Sequence, residues 1–224
     1  MFLLINKHKG ASSHDIIYSV RRATGEKKVG HAGTLDPSAT GLLIVGVGRE
    51  STKKLGWIAK DTKKTYEAEI FLGEKRDTDD SEGKVISKQN SPKILSIGEV
   101  KKILKKFEGS QKQQPPIYSA IKIQGRKAYE LARKGKEVIL EKRNISIYSI
   151  KLLDYKFPTL SIRTTVSSGT YIRAIARDIG EVFGCGAYLK NLVRTRIGNY
   201  DIKNSIEVHK LTAENWKDFA IEID

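Results

Sequence analysis

Cysteine is nearly absent from this chain. Cys185 is the single one in 224 residues, which excludes an intrachain disulfide and fits a reducing compartment. Long apolar runs are missing too: no stretch approaches the roughly 20 residues that cross a bilayer. Too few apolar residues precede Asn6 for the apolar region of a signal peptide. The expected location is the cytoplasm, with no membrane partner. Metal-ligand spacings are lacking as well. His8, His14, His31 and His209 are scattered, and the calcium-loop-like start at Asp77, Asp79 and Ser81 has Glu82 where glycine is required and Lys88 where a bidentate Glu belongs. Gly46-Val47-Gly48 lacks the third glycine of a dinucleotide loop. Neither a metal nor a cofactor is expected.

Acidic charge is in deficit. Lys plus Arg number 41 against 26 Asp plus Glu, a formal charge of +15 and a pI near 9.7. Such an excess favours a polyanionic partner, because each neutralised phosphate releases condensed counterions. A hydrophobic content of 39% and a charged content of 30% suit a folded protein with a sizeable core.

Local patterns supply the elements. Ser12-Ser13 precedes a helical face of Ile16, Ile17 and Val20, closed by Gly25. Leu42 to Val47 reads as a buried strand. Tyr66, Ala68, Ile70 and Leu72 alternate with polar residues, a strand with one buried face. Residues 74–84 read as a polar turn. Ser96 and Glu99 form a capping box ahead of Val100, Ile103, Leu104 and Phe107. Residues 111–143 have no clean period. Leu160 to Val166 alternate as a strand, and Ile172 to Phe183 form an amphipathic helix before Gly184. A short helix is predicted over 214–220. With no regular βαβ rhythm, the fold class is α+β.

One loop stands out. Residues 27–41 are rich in glycine and turn formers and read as an ordered loop. Within it, GHAGTLDPSATG (30–41) sets the lone carboxylate Asp36 among three glycines and Pro37. Glycine permits close backbone approach to a ligand, and proline fixes the chain beside the acid. Taken alone, Asp36 could equally be a turn residue bonded to its own backbone.

The loop strongly resembles the catalytic loop of the bacterial tRNA pseudouridine-55 synthases, the TruB family. The resemblance continues in family order through KTYEAEIFLG (64–73), RDTDDSEG (76–83), PPIYSAIKIQGRKAYELARKG (115–135), SSGTYIRAIARDIG (167–180) and GCGAYLKNLVRTRIG (184–198). It implies the α+β pseudouridine synthase fold, a mixed and largely antiparallel central sheet flanked by helices, with residues 112–143 inserted as a thumb over the T-arm of tRNA. It also implies the reaction. The bond from uracil N1 to the ribose is cut, the base turns, and it is rejoined through C5, after the uridine is flipped out of the tRNA elbow.

Site residues follow by position. Asp36 matches the essential aspartate, which either attacks the sugar or removes a ribose proton. Arg173 matches the arginine that pairs with that aspartate, and Tyr66 the tyrosine that stacks on the flipped base. Leu192 matches an apolar pocket wall. His31 matches the histidine that fills the space the nucleotide vacates. Lys53 matches a lysine beside the active site, with Lys54 an alternative register. Tyr171, Arg126 and Lys127 join the substrate-binding set. The thumb carries nine basic residues against three acidic ones, a net of +6 suited to phosphates.

One departure is visible. Most family members continue into a small C-terminal RNA-binding domain, whereas this sequence stops at Asp224, as either a minimal member or a truncated one; residues 1–224 read as the catalytic domain, and a monomer is expected. The competing reading is a non-catalytic tRNA-binding protein or RNA chaperone using the same surface.

Overall fold

The apolar N-terminus becomes strand β1 (Phe2–Lys7) in the computed structural model, which describes residues 1–89, 93–135 and 138–223. The chain divides into two compact units, one of residues 1–67 and 192–224, the other of residues 68–191. In the first, helix α1 (Ser13–Thr24) starts at Ser12, whose side chain accepts from the Asp15 amide while Asp15 bonds back, a complete capping box. Left-handed Gly25 ends it. Strand β2 (Val29–Ala32), strand β3 (Thr40–Val47) and helix α2 (Arg49–Asp61) follow. The expected loop over 27–41 is therefore strand at 29–32, because Val29 to Ala32 pair antiparallel with Val47 to Ile44.

β1 pairs antiparallel with β3, and both are covered on either face. Leu3, Ile5, Leu43 and Val45 pack with Ile16, Ile17 and Val20 of α1. Phe2, Leu4, Leu42 and Ile44 pack with Leu55 and Ile58 of α2. Burial on both faces explains why these strands read as continuous apolar runs rather than alternations.

Strand β4 (Lys64–Leu72) carries the chain into the second unit with every other residue buried. A hairpin of β5 (Glu74–Arg76) and β6 (Val85–Lys88) follows, so the polar turn expected over 74–84 is in part strand. Helix α3 (Ile97–Lys105) has the predicted Ser96–Glu99 capping box, and Phe107 falls in the turn beyond it. Strand β7 (Gly109–Gln113) precedes the thumb. There β8 (Lys122–Ile123) and β9 (Arg126–Lys127) form a hairpin through Gln124 and Gly125, both at positive φ as a tight two-residue turn demands. Helix α4 (Ala128–Arg133) completes it. Lys136 and Glu137, counted in the thumb's charge, lie outside the described residues. Strands β10 (Arg143–Lys156) and β11 (Thr159–Val166) then pair antiparallel, giving the order β4-β11-β10-β7. Helix α5 (Ile172–Val182) packs closely: a Cβ on its Gly180 would sit 2.3 Å from the Ala187 amide nitrogen.

Strand β12 (Ala187–Ile197) returns the chain to the first unit and runs parallel to β3, pairing Val193 with Thr40 and Arg194 with Gly41. Strand β13 (Tyr200–Asp201) pairs with the end of β12. Strands β14 (Ile206–Glu207) and β15 (Ala220–Ile221) both pair with β1. The helix predicted over 214–220 is instead a single 3₁₀ turn, Trp216–Phe219, since Ala220 is already extended against Leu3. The class is α+β, with antiparallel pairings in the majority. Among the described residues no helix is long and apolar enough to cross a membrane.

Candidate active site

Asp36 lies on the seven-residue connection from β2 to β3, half-buried, between the buried side chains of Leu35 and Ala39. Its carbonyl accepts from the Ala39 amide at 3.1 Å, which tightens the connection into a turn. The rest of the loop is tethered from outside. Ser13 Oγ accepts from the Leu35 amide at 2.9 Å and donates to the Leu35 carbonyl at 3.1 Å, so one hydroxyl takes the place of a strand neighbour. The Gly10 amide donates to Pro37 O at 2.9 Å.

Two buried cations complete the anchorage. Lys7 Nζ donates to Ala11 O at 2.7 Å, His8 O at 3.1 Å and Pro37 O at 3.4 Å. Arg194, only 1% exposed, donates from Nε to Leu42 O at 2.8 Å and from Nη2 to Gly33 O at 3.0 Å. Arg194 thus ties the start of the connection to strand β3 beyond its end. Burial lowers the Lys7 pKa to about 8, with Asp36 opposing that shift and Arg194 adding to it. A carboxylate on a loop whose backbone is held at several points, two of them by buried cations, is positioned before any ligand arrives.

His31 is half-buried on β2, and burial and then Arg194 and His14 lower its pKa, so the ring is neutral at pH 7. Its Nδ1 is buried without a hydrogen-bond partner among the described residues. Tyr66 lies on the buried face of β4 at 8% exposure, two residues from Lys64. Lys64 closes the end of α2 by donating to Ala59 O at 2.6 Å and Thr62 O at 2.8 Å, and burial lowers its pKa to about 8. Leu192 is half-buried, and its carbonyl accepts from Thr40 Oγ1 at 3.4 Å. Lys53 is exposed on α2 and paired with Glu50 at 2.7 Å, whereas Lys54 donates to Ile223 O.

In the second unit, Arg173 occupies the first turn of α5, buried, where the helix dipole opposes a cation. It is compensated by acceptors: Nη1 donates to Thr78 O at 3.1 Å and stands 3.5 Å from Asp80 Oδ2, and Nη2 donates to Tyr118 O at 3.0 Å. One helical turn later, Arg177 reaches Asp79 Oδ2 at 3.0 Å and Gln114 O at 2.9 Å. Burial raises the Asp79 pKa to about 6 against the pull of Arg177 and Arg173. The stretch Asp77 to Glu82 is therefore a cradle for two helix arginines. Asp80 Oδ1 also accepts from Thr78 Oγ1 and the Glu82 amide. No group of three or more possible metal-ligating side chains occurs among the described residues. Tyr171, just ahead of α5, is clamped by Gln113, whose side chain accepts from the Tyr171 amide and donates to its carbonyl. Arg126 and Lys127 are exposed on β9, and Lys127 Nζ lies 5.5 Å from the Tyr129 ring centre.

Lys7, Ser13, Lys64, Arg194 and Asp80 were not singled out by sequence reasoning. A lysine closing the run Phe2 to Ile5 and an arginine within a strand were the available signals, because either cation needs acceptors if buried.

Comparison with known proteins agrees with this architecture. The sequence model for the TruB family pseudouridylate synthase N-terminal domain matches residues 21–172, and that for the tRNA pseudouridylate synthase B C-terminal domain matches residues 173–222. The tRNA pseudouridine synthase B of Protochlamydia amoebophila is 44% identical over 94% of this chain and 80% of its own length. That of Clostridium novyi is 42% identical over 99% of this chain and 76% of its own. Among solved structures, a Cbf5-Nop10-Gar1 complex aligns with a TM-score of 0.72 at 26% identity, over 99% of this chain and 56% of that one. An H/ACA RNP bound to a substrate RNA containing 2'-deoxyuridine aligns with a TM-score of 0.71 at 24% identity, with the same coverage. The fold is that of the pseudouridine synthases. The chain belongs to the TruB family of pseudouridylate synthases.

Proposed function

We propose that this protein isomerises the uridine at position 55, in the T-loop of tRNA, with Asp36 as its catalytic carboxylate. Membership of the TruB family and relatives named tRNA pseudouridine synthase B make it a tRNA pseudouridine synthase, an isomerase acting on RNA. The observation that carries the assignment to Asp36 is the tethering of its loop. Lys7, Ser13 and Arg194 all spend their polar atoms on the backbone around it. A turn whose aspartate served only itself would need no such support.

In this reading Asp36 meets the ribose of the flipped uridine, as nucleophile or as base, while the N1–C1′ bond breaks and the C5–C1′ bond forms. Composition is unchanged, so the reaction consumes no oxidant, reductant or co-substrate. Tyr66 stacks on the freed base, and Leu192 lines its pocket. Arg173 supplies the positive charge that the family assigns to the aspartate, with Asp80 holding its guanidinium. His31 enters the space the nucleotide leaves. Lys53, Tyr171 and the thumb of residues 112–143, through Arg126 and Lys127, hold the T-arm. The enzyme acts as a cytoplasmic monomer, with its catalytic domain within residues 1–224.

The test is pseudouridine mapping at nucleotide resolution on unmodified tRNA with the parent and with Asp36→Asn. The parent should modify position 55, and the variant should bind tRNA, melt like the parent and leave no pseudouridine. Turnover by Asp36→Asn near the parent rate would sink the assignment.

A further inference from the structure

The outward face of α1 carries a group of side chains that the site above does not use. His14, Tyr18, Arg21 and Arg22 fall at i, i+4, i+7 and i+8, so they share one side of the helix. Their opposite numbers, Ile16, Ile17 and Val20, are buried in the core. Tyr18 is 60% exposed. A lone exposed tyrosine needs no explanation, but this ring is organised. His14 meets it edge-on, with centroids 5.2 Å apart, and the Arg21 guanidinium lies 5.7 Å from its centre. Arg21 is itself anchored to Val29 O at 3.3 Å, so the cation beside the ring is held in place. Exposed Arg22, Lys27 and Lys28 extend the positive charge past the end of the helix. Of the two acids in this stretch, Asp15 is engaged in the capping box and Glu26 follows Gly25.

The position of this face matters as much as its composition. Ser13, the residue before His14, is the one whose hydroxyl holds Leu35 beside Asp36. RNA entering the Asp36 loop would therefore pass within reach of α1. The domain match begins only at residue 21, so His14 and Tyr18 precede it.

We propose that this face of α1 is a second RNA-docking surface, on which Tyr18 stacks an unpaired base of the substrate while Arg22, Lys27 and Lys28 contact the adjoining phosphates. Exposed aromatics flanked by cations are how proteins hold unpaired nucleotides: the ring takes a base face and the cations take the backbone. The inference rests on the reading of tRNA as the substrate and adds a contact outside the Asp36 pocket.

The experiment compares the parent with Tyr18→Ala, Tyr18→Phe and a triple variant, Arg22→Gln, Lys27→Gln and Lys28→Gln, on whole unmodified tRNA. Thermal melting checks that each is folded. Tyr18→Ala should weaken binding and raise KM roughly tenfold, in line with the loss of one stacked base, while kcat and the modified position stay unchanged. Tyr18→Phe keeps the ring and should restore parent affinity. The triple variant should lower the log–log salt slope of binding by about 2 to 3 units, at about 0.7 to 0.9 per lost phosphate contact. Affinity of Tyr18→Ala within twofold of the parent, or an unchanged slope in the triple variant, overturns the proposal while leaving the tRNA reading intact. A parent that neither binds nor modifies tRNA overturns both.

Discussion

Arg194 and Gly41 occupy paired positions on parallel strands, and only the absence of a side chain at Gly41 lets them do so. A Cβ there would sit 2.4 Å from the Arg194 carbonyl oxygen, and Gly41 has φ of +105°. The arginine cannot yield, because its guanidinium is bonded to Leu42 O in β3 and to Gly33 O at the start of the Asp36 connection. Gly41→Ala should therefore lower stability by at least about 1 to 3 kcal/mol from backbone strain alone and also reduce kcat. Denaturant unfolding and single-turnover rates check both effects. A variant destabilised but fully active would separate Gly41 from the placement of Asp36.

Arg173 should not be replaceable by lysine. Its two terminal nitrogens diverge to Thr78 O and Tyr118 O, a span that one ammonium cannot cover. Arg173→Lys keeps the charge but loses a charge-assisted hydrogen bond, roughly 1.5 to 3 kcal/mol. The expected outcome is at least about a tenfold fall in single-turnover rate, with tRNA affinity largely retained. Parent-like rates would show that charge alone suffices.

Stability should rise with pH above neutrality. Lys7 and Lys64 have folded pKa values near 8 against an ordinary value of 10.5. Between those limits the unfolded chain binds more protons than the folded one, so alkalinity favours folding across that window. Below about pH 8 the full cost of burying both charges applies. Urea unfolding from pH 7.5 to 10.5 should show this rise, flattened in a Lys7→Met, Lys64→Met variant. Parallel curves for parent and variant would count against the shifts.

The thumb should act through phosphates. Arg126, Lys127, Arg133 and Lys134 are all exposed, and replacing the four with glutamine should reduce the salt slope of binding by up to about 3.6 units. The modified nucleotide should not move, because phosphate contacts position RNA without reading its sequence. A slope equal to the parent's would remove the thumb from this role.

Elements governed by neighbours in sequence were legible in advance. The Ser12 and Ser96 capping boxes, the left-handed Gly25 and the alternation from Tyr66 to Leu72 are local codes. Elements created by distant partners were not. β2 holds only the short run Val29 to Ala32, with a glycine and a histidine in it, and becomes a strand because β3 supplies an edge. Residues 214–220 have helical composition, but pairing of Ala220 with Leu3 cuts the helix to one 3₁₀ turn. The site divided in the same way. Asp36 is proposed from its loop and its family resemblance. Ser13 and Arg194, 22 and 161 residues from the loop backbone they bind, carry no local mark of that task.

Because the supports of the Asp36 loop grip its main chain, its shape is largely independent of the side chains between them. Thr34 is exposed and Ser38 half-exposed, and neither side chain is among the tethers. The identities at these two positions are thus open to drift or to deliberate redesign, a pair of adjustable sites within two residues of a carboxylate that stays where it is.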